Sequence, residues 1–181
     1  MNKRVRIGLI AVFCLAAVTW LFPFSFFSVY KSVTFKSDPI FIEDYQNEIE
    51  QFKKVHDRED RNRIKAHTNY LLDELYSSDL AIAKNVKVNR KNLDDALTTV
   101  RNMQTTLIRF SFDEELSEES REYLELSIYD SLHLQDDIRK IKGPNFYTRF
   151  ELDKLIGNLQ DRLKMSFDMY THFYLTHYGL E

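Results

Sequence analysis

The residues best suited to chemistry in this 181-residue chain are five histidines and the carboxylates near them. Asp130 and His133, His133 and Asp136, and Asp168 and His172 are three or four positions apart, a spacing that places two side chains on one helix face. Inward-facing pairs of this kind hold metals in helical bundles, where di-iron sites use a Glu-x-x-His pair on each of two helices. The chain has no Glu-x-x-His, so the pairs read as surface neighbours and no metal site is assigned. His172 and His177, five apart, are badly placed to share an ion.

Nucleophilic chemistry has no better support. There is no Gly-x-Ser-x-Gly elbow and no Walker loop, and four glycines leave little from which to build a phosphate cradle. Cys14 is the only cysteine and lies in an apolar run, which excludes an internal disulfide, a cysteine metal framework and a haem-attachment pair. No catalytic residue and no cofactor are assigned, and the chain is not expected to be an enzyme.

Two charged runs remain. Residues 113–125 (DEELSEESREYLE) are acidic with one arginine, which fits a helix N-terminus in solvent better than a cation site or a docking surface for a basic partner. Residues 84–91 (KNVKVNRK) are basic and should lie at the opposite end of an up-and-down bundle; a solvated loop accounts for them, with a headgroup or partner contact as the alternative. The formal net charge is −3, and three basic residues, Lys3, Arg4 and Arg6, precede the apolar run, so the bulk of the chain is more acidic still. That balance argues against nucleic acid as a partner. A third cluster is aromatic. In residues 167–178 (FDMYTHFYLTHY) one helical face, Phe167, Tyr170 and Tyr174, should be core. Met169, Phe173, Leu175 and Tyr178 widen the apolar arc beyond one stripe, as a wide core contact or as a surface for a partner helix or the bilayer interface.

The elements that must position these groups are helices. Neither glycine nor proline occurs between Pro39 and Gly143, and turns and sheets consume both. The expected class is all-α. Asp38 before Pro39 should cap a first helix running to about Ala83, long and bent or broken near residues 57–62. Residues 84–92 read as a turn. Leu93, Leu97, Val100, Met103, Leu107 and Phe110 make a second amphipathic helix. Ser117 should cap a third, carrying Leu124, Ile128, Leu132, Ile138 and Ile141 and ending at Gly143 in a left-handed cap. Thr148 and Glu151 have capping-box spacing for the last helix, whose stripe runs from Leu152 to Tyr174. Together these predict an antiparallel four-helix bundle over residues 39–181, after a connector at 31–38.

Ahead of it, residues 7–30 carry no charge and as a helix would span about 36 Å, against roughly 30 Å of hydrocarbon. Small residues at a cleavage site are missing, and Phe13 is too bulky to precede a lipidated cysteine, so an uncleaved transmembrane anchor is favoured over a removed signal. Trp20, Phe22 and Tyr30 are the expected interfacial anchor residues. The basic tail of residues 1–6 places the N-terminus inside the cytoplasmic membrane and the bundle outside, a layout used by bacterial receptors and accessory factors. The expected function is a single-pass, non-enzymatic interaction protein, an accessory or regulatory subunit with a partner in the membrane or envelope. The alternative is a sensory bundle that binds a small-molecule ligand and signals through a separate membrane protein.

Overall fold

The computed structural model describes residues 3–26, 28, 31–57, 63–113, 115–143 and 146–180. Among these lie seven α-helices and a two-stranded antiparallel sheet. The sheet is the first departure from an all-α chain. Strand β1 (Ser32–Lys36) occupies the expected connector, and β2 (Asn85–Asn89) occupies the expected turn. Val33 faces Val88 and Phe35 faces Val86 across the ladder, while Thr34 and Lys87 point to solvent. This is the period-two alternation of a half-buried pair. Ser37 lengthens the ladder by donating from its amide to the Lys84 carbonyl (3.1 Å) and from its hydroxyl to that of Ala83 (2.9 Å).

Helix α1 (Lys3–Leu21) has no residue buried from Arg4 to Leu21 and meets the rest of the protein at its C-terminal end, where Arg149 and Phe150 contact Trp20. Helix α2 (Pro39–His56) starts as predicted, with the Asp38 carboxylate accepting from the Ile40 amide at 2.9 Å. The single long helix expected to Ala83 is instead divided. After α2 come α3 (Arg63–Leu71), a π-helical segment (Leu72–Tyr76) and the short α4 (Asp79–Ile82). The break falls at Ser77–Ser78, where Ser78 is extended and its hydroxyl donates to the Leu75 carbonyl. Residues 58–62, where a bend was expected, lie outside the described residues.

Three long helices complete the chain: α5 (Arg90–Asp113), α6 (Glu118–Lys142) and α7 (Arg149–Tyr178). Ser117 caps α6, and Thr148 with Glu151 closes a full capping box on α7. Gly143 differs from expectation, with φ −66°, so it ends α6 without a left-handed turn; Gly179, at φ 63°, supplies that turn after α7. Among the described residues, cross-contacts of each helix show the chain running up α2, down α3 and α4, up α5, down α6 and up α7, one pass more than a four-helix bundle has.

The inward face of α5 is the predicted stripe from Leu93 to Phe110, buried throughout. On α6 it is not. Ser120, Leu124, Ser127, Ser131, Leu134, Ile138 and Ile141 face inward, while Leu132 turns out to solvent. The serines keep the seam because they are small, which lets α6 lie close to α5 and α7. Burying them is also inexpensive: Ser127 and Ser131 donate to the carbonyls of Tyr123 and Ile128 in their own helix. At the centre Phe167 of α7 meets Tyr45, Phe52 and Tyr76 edge-on, with ring centroids 5.5, 5.7 and 5.2 Å away.

Phe167→Ala should therefore lose about 3–5 kcal/mol of unfolding free energy. Phe112→Ala, at a side chain 82% exposed, should stay within about 0.5 kcal/mol of wild type. Denaturant unfolding of the full chain in mild detergent, followed by circular dichroism, compares the two.

Candidate functional site

Arg4–Leu21 is long and apolar enough to cross a membrane: 18 residues at a mean hydropathy of 1.8, none of them buried against the rest of the protein. The segment leading from it into the domain is not a loose tether. The helix ends at Leu21 instead of continuing towards residue 30, and the backbone turns twice, with the Ser25 amide bonded to the Phe22 carbonyl and the Ser28 amide to that of Ser25. Pro23 promotes the first turn, since its ring cannot continue the helical ladder. The turns deliver Phe24 into the hydrophobic core, where only 2% of it is exposed. Phe24 is thus a core residue, although its aromatic neighbours suggest an interfacial belt.

Two arginines on the domain grip this exit. Arg149, the first residue of α7, lies over the Trp20 ring (5.2 Å to the centroid) and donates from Nε to the Trp20 carbonyl at 3.3 Å. Arg90, the first residue of α5, donates to the Phe24 carbonyl at 3.5 Å. Those carbonyls belong to the last turn of α1 and the link after it, where backbone acceptors lack helical partners and cations are favoured. Phe150 adds an edge-on contact to Trp20 at 6.4 Å. Of the expected anchor residues, Trp20 stands at this joint, Phe22 is half-buried within it, and Tyr30 lies outside the described residues. Sequence reasoning does not single out the arginines and Phe150; the position of each at or beside a helix start is the one available signal.

The expected partner surface on α7 is largely taken up by the core. Phe173 is fully buried and stacks on Phe110 at 6.4 Å, because α7 is covered by α2, α3, α5 and α6 together and needs apolar groups on most of its circumference. It is therefore not available to a partner as expected. Met169, Leu175 and Tyr178 are half-buried, with Tyr178 packed on Tyr174 at 4.6 Å.

A polar seam runs through the same core. Thr68 donates to the Ile64 carbonyl, so the Tyr170 hydroxyl must donate to Thr68 Oγ1, at 2.7 Å. His56 Nε2 donates to Asn69 Oδ1 (2.8 Å), leaving Nδ1 to accept from the Tyr174 hydroxyl (2.9 Å). The Tyr76 hydroxyl donates to the Ser166 carbonyl at 3.3 Å. Burial raises the Tyr76 and Tyr170 phenols well above their ordinary range and pushes the His67 imidazole down to about 4. Burial also lowers His56, against the Asn69 bond that favours its charged form. All of these groups are neutral at pH 7, and the bonds of His56, Thr68 and Tyr76 close on other helices. The carboxylate–histidine pairs do not converge. His172 bonds the Asp168 backbone carbonyl and stacks on Tyr123, and His133 packs against Tyr129. Among the described residues no group of three or more histidine, cysteine or acidic side chains gathers where a metal could sit.

His67 sets a pH dependence. Its folded value lies below the ordinary 6.5, so its contribution to stability is complete above 6.5 and is lost as pH falls towards 4, when the unfolded chain takes a proton that the folded one refuses. Acidification from pH 7 to pH 5 should cost about 2 kcal/mol through this group. His67→Phe should flatten the fall in melting temperature across that interval, leaving the share due to His56; an unchanged slope would remove His67 as its source. Set against known proteins, this architecture stands without a guide: no family model, no curated protein and no solved structure matches the chain.

Proposed function

We propose that the protein is a membrane-tethered, non-enzymatic accessory or regulatory subunit that holds its helical domain at a set height and angle beside a second membrane protein. The observation that carries this reading is the joint between α1 and the domain. Localisation alone needs only an apolar helix and a flexible linker. Here Phe24 is buried, and two arginines on different helices bond the exit backbone. Such a joint transmits orientation, which matters when the domain must meet a partner held in the same bilayer. The basic N-terminal tail favours a cytoplasmic N-terminus with the domain on the far side. For the partner, α6 offers an outward line of Leu126, Tyr129 and Leu132, each more than 40% exposed.

A second reading, a sensory domain that binds a small ligand and signals through a separate membrane protein, is favoured by one feature. A cleft of about 290 Å³ between α2 and α7 is walled by Phe52, Val55, Phe167 and Leu175, with Glu48 and Asp168 at its rim.

Native-membrane crosslinking followed by purification of the full chain in mild detergent should recover a membrane or envelope protein in stoichiometric amount. Recovery of the chain alone would overturn the accessory reading. The tether has its own check. Wild type should stay in the pellet after alkaline extraction, whereas a Val12→Lys, Ala16→Lys pair, each lysine costing about 3 kcal/mol at the bilayer centre, should be released.

A further inference from the structure

We propose that the end of the domain around the α1 exit is a lipid-facing seat, in which exposed aromatic rings and arginines rest in the phosphate-bearing headgroup layer of the bilayer that α1 crosses. The inference rests on the tether reading and adds to it a second, independent membrane contact made by the domain itself.

Length sets the level of the membrane surface. The apolar stretch Arg4–Leu21 has 18 residues, about 27 Å as a helix, slightly less than the roughly 30 Å of a hydrocarbon core. The whole of it is therefore needed to cross, and Trp20 falls at the hydrocarbon boundary, the depth this side chain prefers. Whatever is fixed beside Trp20 then lies at headgroup depth. Arg149 and Phe150 touch its ring, and Phe146 is three residues before Arg149 on the connection from α6.

The composition of this end suits that depth. Phe146 and Phe150 are 72% and 68% exposed, and Phe26, beside the buried Phe24, is 83% exposed. Large rings this open are costly in water, and they cluster at the one place where an apolar boundary is close. Arg149 lies over an aromatic face with its backbone at the start of a helix, and exposed Arg90 and Lys31 lie around the same exit. Each can meet lipid phosphate. The opposite, distal end carries a comparable ring in Phe112, at the last turn of α5, and provides an internal comparison.

Trp20 is the only tryptophan, which makes the test direct. The full chain is placed in vesicles of phosphatidylcholine and phosphatidylglycerol containing a lipid with a nitroxide quencher near its headgroup. Wild-type emission reports Trp20. In a Trp20→Phe background, Phe146→Trp, Phe150→Trp and Phe112→Trp each report one position. The expected result is strong quenching and a blue-shifted emission at 146 and 150, with neither at 112. If positions 146 and 150 emit like 112 while wild-type Trp20 is quenched, the seat is overturned and the tether stands. If wild-type Trp20 is unquenched as well, the tether fails and takes the seat with it.

Discussion

The structure depends on the demand that one helix makes on all the others. Helix α7 has 30 residues and buries leucines, aromatics and small polar groups around most of its circumference, so no single neighbour can cover it. Phe167 alone is met by rings from α2 and from the π-helical segment. Each further element answers another side of the same helix. Helix α6 packs along it through serines in its first half and Leu134, Ile138 and Ile141 in its second, α4 receives the Gln160 amide at the Leu80 carbonyl, and β1 sets Phe35 over Gly157. A methyl group at Gly157 would stand 3.5 Å from the Phe35 ring, an ordinary contact. The glycine therefore leaves a shallow recess there and does not relieve a clash.

The sheet and the anchor exit are consequences of the same packing. Strand β1 lies between the link after α1 and α2, and its inward Val33 and Phe35 join the core that Phe24 also enters. The α7 start that closes the capping box also provides Arg149 to the α1 carbonyl. One helix thus organises the core along its length and holds the anchor at its first residue.

Much of this is legible from local chemistry. Caps at Asp38, Ser117 and Thr148, and the regular stripes of α5 and α7, are written in short-range spacing, and the folded chain uses them as they read. The sheet is hidden because its strands lie far apart in sequence and are joined by helices. It needs no glycine or proline turn, and the scarcity of those residues points only to helix. The α6 face departs from expectation because apolarity is not the only mark of burial. Between Leu124 and Leu134 the buried positions are Asp130 and two serines, Ser127 and Ser131, with bonds inside their own helix, and Leu132 is left outside. Phe24 and Phe173 depart from it for one further reason: their neighbours fit a surface, and only long-range packing shows that the core needs the rings more. The joint between α1 and the domain is visible only in halves, since Trp20 and Arg149 stand far apart in the chain.

On the proposed function, in which α1 crosses a bilayer, the fastened joint turns bilayer thickness into geometry. A helix whose apolar length differs from that of the membrane around it adjusts chiefly by tilting. With Phe24 locked and Arg149 holding Trp20, a tilt of α1 is a tilt of the whole body. Helix α7 acts as a lever of about 45 Å, so a change of about 10° at the membrane would carry its far end sideways by about 8 Å. Passage from a thinner to a thicker bilayer, or into a patch deformed by another protein, would therefore swing the crown of the domain through several ångströms with no rearrangement inside it.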